Sequence, residues 1–327
     1  MLVLTAADVR RAFPLSDAVE LMRSTMVAHG KGEVFQPARV VLQPPALEGS
    51  VWLKPASVQG DDGGLGVKVL TIFPGNQHRG LEVIQAFVAL LDPVTGVLLA
   101  LLEGGVVTEL RTAATSAAAT DLLATPDAGD LAIIGAGVQA RSHLLAMAEV
   151  RELRRIRLWN RTEARALEFV RWAESHDFRV EVCRTVQSAV DGADLICSVT
   201  SSTDPLIDGD WISPGTHLNA VGAFHRDGRE LRSNLVRNAA VFAVDSREGA
   251  FANAGDMLIP LAEGALAESF DPPELGELLV GGRAGRTAKD QITVFESLGL
   301  AIQDVAAAAS IVARAQREGV GIVIVFS

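Results

Sequence analysis

The chain has 327 residues, of which 40 are acidic and 29 basic, so its net charge at pH 7 is −11. It contains no block of lysine and arginine and no basic stripe interleaved with aromatic residues, which makes nucleic acids and anionic membranes poor partners. Its start lacks a signal-peptide pattern, and no uncharged apolar run reaches the ~18 residues of a membrane-spanning helix. We therefore expect a soluble, cytoplasmic protein of about two domains.

Residue types that are absent or rare exclude several enzyme classes. The chain has no tyrosine, which rules out dehydrogenases that depend on a Ser-Tyr-Lys set. It has neither a His-Glu-x-x-His nor a Gly-x-Ser-x-Gly motif, so zinc proteases and serine hydrolases have no support. The two cysteines, Cys183 and Cys197, are too few for a metal cluster, and we predict no bound metal.

The N-terminal third of the chain predicts a mainly β domain. An amphipathic helix is predicted over residues 16–29, with Ser16 as its N-cap. Extended segments follow at residues 39–42, 51–54, 66–72, 84–91 and 97–102, with turns at 61–64, 74–76 and 92–96. A helix rich in alanine and threonine over residues 108–123 leads out of this domain, and residues 124–129 mark the boundary.

A glycine-rich turn begins the second domain. An apolar, β-type run at residues 130–134 breaks into this turn, and a helical pattern then continues to residue 150. The turn consists of Gly135, Ala136, Gly137, Val138, Gln139 and Ala140. Gly135 allows a tight bend and Gly137 lets the backbone approach a pyrophosphate, while the helix start offers unpaired N–H groups to phosphates. The pattern predicts a dinucleotide-binding turn.

Strands and helices alternate after this turn. Strand-like segments lie at residues 156–160, 180–183, 195–199, 217–221 and 241–245, which is typical of an α/β fold with a Rossmann-type, doubly wound parallel sheet. A helix is predicted over residues 290–317 with a break near Gly299, and the apolar tail at 320–325 is expected to return to the first domain. We thus predict a Rossmann domain at 121–300 and a second, mainly β domain made of 1–120 and 301–327.

The end of the second Rossmann strand indicates which nicotinamide nucleotide fits. Domains that bind NAD carry an acidic residue there, which would repel a 2′-phosphate. This chain has Asn160, Arg161 and Thr162 instead. Because Arg161 can pair with a phosphate and its neighbours can add hydrogen bonds, the pattern favours NADP. NAD is the alternative, if Arg161 is only solvated and Thr162 only caps a helix.

Three basic residues stand among apolar neighbours in the first domain, namely Arg39, Lys68 and Arg111. A buried cation requires a partner or a ligand. Taken singly, each is also compatible with a side chain that snorkels to solvent or forms an ion pair. The residues alone therefore leave both interpretations open.

The sequence resembles the ornithine cyclodeaminase and mu-crystallin family over nearly its whole length. The resemblance rests on residues 36–39, 66–76, 110–114, 133–140, 159–162, 219–223 and 293–299, in that order. It implies a first domain that binds substrate and forms a homodimer, a second domain that binds a nicotinamide cofactor, and chemistry in the cleft between them. It also implies that Arg39, Lys68 and Arg111 gather around the carboxylate of an α-amino or α-imino acid.

The resemblance further implies that Thr112 contacts a cofactor phosphate and that Val221 packs beside the nicotinamide. The predicted cofactor-binding residues are Gly135, Gly137, Val138, Gln139, Asn160, Arg161, Thr162, Thr112, Thr200 and Val221. The predicted catalytic residues are Lys68, Arg39 and Arg111.

One departure from the family pattern bears on the reaction. Ornithine cyclodeaminases carry an aspartate two residues after the glycine that corresponds to Gly222, where this chain has Phe224. Phenylalanine cannot pair with an ammonium group, and His225 and Asp227 do not occupy the matching position. The chain is therefore closer to the imine (ketimine) reductase side of the family.

We expect an NAD(P)H-dependent reductase of α-imino acids, which transfers hydride from the nicotinamide to the C=N carbon. Its substrate would be a cyclic ketimine, such as pyrroline-2-carboxylate or piperideine-2-carboxylate, or an acyclic imino acid such as iminosuccinate. Lys54 would favour the dicarboxylic imine if it pairs with a second carboxylate, and Phe224 would suit an apolar ring. The alternatives are an alanine-type amino-acid dehydrogenase, an ornithine cyclodeaminase, and a non-enzymatic NADP-dependent protein that binds a small ligand.

Overall fold

A computed structural model describes residues 1–60, 63–223 and 225–325. The chain divides into two compact units. Unit 1 comprises Met1–Arg111 and Leu300–Ser327, and unit 2 comprises Thr112–Gly299. The sequence placed domain boundaries at 120/121 and 300/301, and those boundaries stay a prediction.

Unit 1 is formed by both ends of the chain. Its first part contains β1 (Leu2–Leu4), α1 (Ala6–Ala12), α2 (Leu15–Gly30), β2 (Val34–Phe35), β3 (Val40–Leu42), β4 (Ser50–Val58), β5 (Gly64–Ile72), a 3₁₀ helix (Pro74–Arg79), β6 (Ile84–Leu91), β7 (Leu98–Glu103) and the start of α3 (Gly104–Leu123). After unit 2 the chain returns as α11 (Ala301–Glu318) and β15 (Ile322–Val323).

The sheet of unit 1 has the strand order β15-β1-β7-β6-β5-β4-β2, and β3 also pairs with β4. Its pairs are antiparallel except for β1 with β7. Helix α11 packs on β4 and β5. Gly66 permits this close approach, because a Cβ there would lie 2.6 Å from the Ala89 carbonyl oxygen and 3.3 Å from Val305. The tail strand β15 pairs antiparallel with β1.

The face of this sheet opposite α11 is apolar and exposed. The strand register aligns Val40, Leu53, Val69 and Phe87 side by side across β3, β4, β5 and β6. Val40, Leu53 and Phe87 are 55%, 38% and 44% exposed. An aligned row of exposed apolar side chains is typical of a surface that another protein covers. We call these four residues the open face.

Unit 2 contains a seven-stranded parallel sheet with the order β10-β9-β8-β11-β12-β14-β13. Its strands are β8 (Asp130–Ile134), β9 (Arg155–Trp159), β10 (Val180–Val182), β11 (Leu195–Ser198), β12 (His217–Ala220), β13 (Val241–Val244) and β14 (Thr293–Glu296). Its helices after α3 are α4 (Val138–Val150), α5 (Glu163–Glu174), α6 (Val186–Val190), α7 (Ser233–Asn238), α8 (Arg247–Asn253), α9 (Gly255–Ala262) and α10 (Leu275–Leu279). The predicted α/β fold class, a Rossmann-type doubly wound sheet with a second, mainly β part, is confirmed.

One predicted helix was partly wrong. Residues 293–296, predicted as helix, form β14, which pairs with β12 and β13, and the helix begins only at Ala301. All four residues of β14 are buried, and the run Thr293, Val294 and Phe295 is β-branched and aromatic, which favours a central strand. A short apolar run of this kind does not distinguish helix from strand by periodicity.

The start of α2 also differs from the sequence prediction. Helix α2 begins at Leu15 after Pro14 and has no side-chain cap, so Ser16 is not its N-cap. A helix start does not need the backbone N–H that proline lacks, which explains why Pro14 rather than Ser16 precedes the first turn. The predicted turn at 61–64 includes Asp61 and Asp62, which lie outside the described residues. Within the described ranges, no helix has both the length and the apolar character that a membrane crossing requires.

Candidate active site

Lys68 is the centre of a buried polar cluster in unit 1. The alternation of β5 turns Gly66, Lys68 and Leu70 toward α11, and only 2% of Lys68 is exposed. Its Nζ donates a hydrogen bond to Asp304 Oδ1 at 3.1 Å and another to the hydroxyl of Thr108. A lysine of this kind does not snorkel to solvent, so its charge has to be balanced inside the protein.

Arg111, on α3, is held by the same carboxylate. Its Nε donates to Asp304 Oδ1 at 3.0 Å and its Nη1 donates to Gln303 Oε1 at 2.9 Å. Arg111 is 3% exposed and Asp304 is completely buried. The structure therefore brings together two of the three predicted cations, Lys68 and Arg111, around one anion.

The sequence interpretation missed Asp304 and Gln303. Both lie in the first turn of α11, within the otherwise apolar stretch that starts with Ala301 and Ile302 and continues at Val305. Two polar residues on the apolar face of an amphipathic helix are the signal that could have revealed them. Gln303 Oε1 also accepts the Leu300 N–H at 3.1 Å, which fixes the amide that orients Arg111.

The electrostatics of this cluster follow from its burial. Burial lowers the pKa of Lys68 to about 8; the charge of Asp304 opposes this shift and that of Arg111 reinforces it. Burial by itself would raise the pKa of Asp304, but Arg111, Lys68 and Lys54 outweigh it and lower that pKa to about 2. Asp304 is therefore a fixed negative charge, whereas Lys68 can gain or lose a proton near neutral pH.

Two further cations lie on the same face of the sheet. Lys54 is the direct cross-strand partner of Lys68 in the pairing of β4 with β5. The guanidinium of Arg39 lies 4.2 Å from the centre of the Trp52 ring, and Trp52 pairs with Leu70, which alternates with Lys68 on β5. Burial lowers the pKa of Arg39. Cross-strand partners share a face, so positive charge concentrates there.

The glycine-rich turn of unit 2 has the geometry that a dinucleotide requires. Gly135 has a φ of +109°, and a Cβ there would lie 2.9 Å from the Val199 carbonyl oxygen. Gly137 is the N-cap of α4, where no side chain caps the helix, and a Cβ there would meet no atom within 4 Å. Neither the packing nor the backbone conformation at residue 137 requires a glycine. Open space before an uncapped helix start fits a bound pyrophosphate.

The end of β9 forms the adjacent part of this site. Asn160 Oδ1 accepts the Ala136 N–H at 3.1 Å, and Asn160 Nδ2 donates to the Thr162 carbonyl oxygen at 2.8 Å. Asn160 thus shapes the glycine-rich turn. Arg161 and Thr162 are exposed. Thr162 is the N-cap residue of α5 but makes no side-chain capping hydrogen bond.

The ends of β11 and β12 carry other predicted cofactor residues. Thr200 follows β11, and Val221 and Gly222 follow β12. Glu230 accepts hydrogen bonds from the Thr200 N–H at 2.8 Å, from its hydroxyl at 2.5 Å and from the Gly222 N–H at 2.9 Å. The sequence interpretation had given Glu230 no role. Glu230 lies in an Arg-Glu-Leu run before α7, and nothing in the neighbouring sequence predicts these contacts.

Thr112, His225 and Asp227 in unit 2 differ in their exposure. Thr112 is buried on α3, directly after Arg111. His225 and Asp227 are exposed, and Phe224 lies outside the described residues. In the part of the chain that the structure describes, no three histidine, cysteine, aspartate or glutamate residues are grouped so that they could hold a metal ion.

A family model for the ornithine cyclodeaminase/mu-crystallin family matches residues 1–319. This chain belongs to that family. The chain is 42% identical to the ketimine reductase mu-crystallin of Mus musculus over 277 aligned residues. The alignment covers 85% of this chain and 84% of that protein. It is 34% identical over 322 residues to the Delta(1)-pyrroline-2-carboxylate reductase of Bacillus cereus (strain ATCC 10987 / NRS 248), with 98% of both chains covered.

A solved structure has the same fold as this chain. The Thermococcus litoralis Delta(1)-pyrroline-2-carboxylate reductase, in complex with NADH and L-proline, matches with a TM-score of 0.94 and 34% identity. The match covers 99% of this chain and 100% of that one. The resemblance inferred from the sequence motifs is confirmed.

Replacing each of the two glycines of the turn by alanine should affect a different property, namely NADPH binding for Gly137 and stability for Gly135. Gly137→Ala should leave the free energy of unfolding in urea nearly unchanged but weaken NADPH binding, because its methyl group enters the open space. Gly135→Ala should lower the free energy of unfolding by about 1–3 kcal/mol, because its φ is left-handed and the Val199 oxygen is close. Urea titration and NADPH fluorescence measure the two effects. Unchanged NADPH binding by Gly137→Ala would contradict a pyrophosphate at this turn.

Proposed function

We propose that this protein is an NAD(P)H-dependent reductase of α-imino acids. The observation that carries the proposal is the buried set of Lys68 and Arg111 on one carboxylate, Asp304, with Lys54 opposite Lys68 on the same face. Arg111, Lys68 and Lys54 all act on this carboxylate. Buried cations favour an anionic ligand, and the carboxylate of an imino acid supplies that charge.

Arg111 and Arg39 are the groups we assign to the substrate carboxylate. Asp304 and Gln303 orient the guanidinium of Arg111, and the Trp52 ring supports that of Arg39. Guanidinium groups bind carboxylates through paired, charge-assisted hydrogen bonds. Two guanidinium groups that are already oriented would fix the neighbouring C=N carbon in one position, which is the main requirement for transfer to it.

Lys68 is the group we assign to the proton. Reduction of an imine adds a hydride with its electron pair to carbon and a proton to nitrogen, so that C=N becomes CH–NH. With a pKa of about 8, the Nζ of Lys68 is largely protonated at neutral pH and can still release its proton. Burial beside Asp304 and Thr108 keeps it aimed in one direction and shielded from water.

Unit 2 supplies the residues that would hold the cofactor. The turn at Gly135 and Gly137 fits the pyrophosphate, and exposed Arg161 suits a 2′-phosphate, so NADPH is the proposed reductant and NADH the weaker one. When bound, the dihydronicotinamide supplies the hydride. Thr112, Thr200 and Val221 complete the proposed cofactor contacts.

We place the proposed reaction in the cytoplasm. Both cysteines, Cys183 and Cys197, are free thiols. Unpaired cysteines are typical of a reducing compartment.

The decisive test is the loss of NADPH absorbance with pyrroline-2-carboxylate, piperideine-2-carboxylate, iminosuccinate, or pyruvate with ammonia. We expect reduction of an imino acid, and a loss of about 10²–10⁴ in kcat for Lys68→Met, the range for removal of a general acid. Lys31→Met is the matched control, because Lys31 is an exposed lysine of unit 1. Lys54→Met should impair iminosuccinate selectively if the substrate is dicarboxylic.

Other outcomes of the same assay identify the alternatives. Proline and ammonia from ornithine, without reduction of any imine, would indicate a cyclodeaminase. Turnover of pyruvate and ammonia well above that of the cyclic imines would indicate an amino-acid dehydrogenase. Tight NADPH binding without turnover would indicate a ligand-binding protein.

The pKa of Lys68 predicts a pH dependence. Burial lowers this pKa from 10.5 to about 8, so the ammonium is present below that pH and lost above it. We expect kcat/KM to fall as the pH rises through about 8. Lys68→Arg, which stays protonated, should move the decline to higher pH if it retains measurable activity. An identical pH profile for both proteins would assign the proton to another group.

Arg161 predicts the choice between cofactors. Arg161→Ser should raise the KM for NADPH by about tenfold to a hundredfold, the effect of losing a hydrogen bond to a charged group, and leave that for NADH unchanged. Arg165→Ser is the control, since Arg165 is an exposed arginine on the neighbouring helix α5. Equal effects of Arg161→Ser on both cofactors would mean that Arg161 does not bind the 2′-phosphate.

We propose that the open face, Val40, Leu53, Val69 and Phe87, joins two copies of this chain in a homodimer. Phe87→Glu should therefore yield monomers in analytical ultracentrifugation, because a charge would be buried in the apolar contact. Val94→Glu, in the turn between β6 and β7 and 90% exposed, should leave the dimer intact. A monomeric wild-type protein would rule the dimer out.

A further inference from the structure

Glu230 forms hydrogen bonds with the loops that follow two neighbouring strands of the unit 2 sheet. Strands β11 and β12 are parallel partners, with Ser198 opposite Ala220 at their carboxyl ends. The carboxylate of Glu230 is completely buried beyond these ends. Its Oε1 accepts both the N–H and the hydroxyl of Thr200, and its Oε2 accepts the N–H of Gly222. One side chain therefore fixes both loops.

The fit around this carboxylate is tight. A Cβ at Gly222 would overlap the Thr200 carbonyl oxygen and lie 2.5 Å from Glu230 Oε2. Only a glycine lets the loop after β12 come this close to the carboxylate. Val221, the residue before it, is held by its own N–H, which donates to the Ser198 carbonyl oxygen at 3.0 Å.

Glu230 is in turn held by its surroundings. Its backbone N–H and that of Leu231 donate to Asp256 Oδ1 at 2.9 and 2.7 Å. Its carbonyl oxygen accepts from Leu206 and Ile207. Glu230 thus has little freedom to move, and the loops that it holds share that rigidity.

The ionised form of Glu230 matches these contacts, because all three partners are donors and a carboxylate accepts at both oxygens. A second buried carboxyl, Glu296 on β14, differs in this respect. Its Oε2 has no hydrogen-bond partner among the described residues, and burial, Asp256 and Glu230 raise its pKa well above the usual range. Burial also raises the pKa of Glu230, but the hydrogen bonds from Thr200 and Gly222 act against that shift. These donors favour the charged form of Glu230, whereas burial favours the protonated form of Glu296.

We propose that Glu230 is a positioning residue for the nicotinamide end of the cofactor, which it acts on by fixing the loops that carry Thr200 and Val221. This inference rests on the proposed function, in which these two residues contact the cofactor. Glu230 touches neither substrate nor cofactor in this role. It keeps the two loops in the one arrangement that lets hydride transfer proceed.

The test is Glu230→Gln. The amide would direct N–H groups toward Thr200 or Gly222, so one loop has to shift. We expect a weaker, measurable NADPH Kd, an altered emission of bound NADPH, and a kcat lower by about tenfold to a hundredfold, the loss typical of a misplaced reacting group. The KM for the imine should stay unchanged. The primary isotope effect with NADPH deuterated at nicotinamide C4 should rise, since hydride transfer becomes slower.

Glu296→Gln is the matched control, because an amide has the shape of a protonated carboxyl and this residue is equally buried in the same sheet. It should keep kcat and NADPH binding within about twofold of wild type, as a near-isosteric neutral exchange predicts. If Glu230→Gln does not fold, Glu230→Asp replaces it. The shorter aspartate keeps the charge but cannot reach both Thr200 and Gly222, so it should also weaken NADPH binding and raise the isotope effect.

Glu230→Gln with a wild-type NADPH Kd, emission and isotope effect would overturn the inference. So would a loss of activity that only follows a lower folded fraction. A wild-type protein that reduces no imine would instead refute the proposed function. The NADPH Kd and emission of Glu230→Gln would still report on the role of Glu230 in that case.

Discussion

The ion pairs of Asp304 are the interaction on which unit 1 depends. This one carboxylate binds Lys68 from β5 and Arg111 from α3 while it belongs to α11, so it ties a strand and two helices together. All three groups are buried, and removal of one partner from a buried ion pair costs about 3–5 kcal/mol, since the remaining charge loses its counter-charge. The geometry of the proposed substrate site and the packing of α11 on the sheet therefore have the same cause.

The buried ionisable groups of unit 2 near the ends of β11 and β12 are acidic, in contrast to the buried cations of unit 1. Around Asp304 lie the buried cations Lys68 and Arg111, which favour a ligand that brings negative charge. Near the ends of β11 and β12 the buried groups are the carboxyls Glu230, Asp256 and Glu296, and their charge is limited by protonation and by backbone N–H donors. A carboxylate that accepts from backbone groups is used there to fix loops rather than to bind a substrate.

Local patterns made the nucleotide-binding features predictable. The turn at Gly135 and Gly137 depends on backbone conformation and on the adjacent helix start, and both are recorded in six consecutive residues. The strands of unit 2 were also predicted, with ends that differ by one residue, because apolar β-type runs alternate there with helical patterns. Strand β14 was not, since its burial on both faces depends on two strands that are distant in sequence.

The substrate-side cluster was only partly predictable for the same reason. Lys68 and Arg111 stand out as cations among apolar neighbours, but their shared partner lies 236 residues beyond Lys68. Asp304 and Gln303 were hidden in a segment predicted simply as helix. Likewise, Glu230 reaches Thr200 across 30 residues through the pairing of two strands, which no local pattern records.

The return of the C-terminal segment to unit 1 has a consequence for how the protein is made. Unit 2 is one continuous segment and can fold as soon as it leaves the ribosome, whereas unit 1 lacks α11 until all of unit 2 has been synthesised. Until then Lys68 lacks Asp304, and the surface of β5 that α11 covers is exposed. The nascent chain therefore has an interval in which Lys68 and an apolar sheet surface, both buried in the folded protein, are open to solvent or to a chaperone.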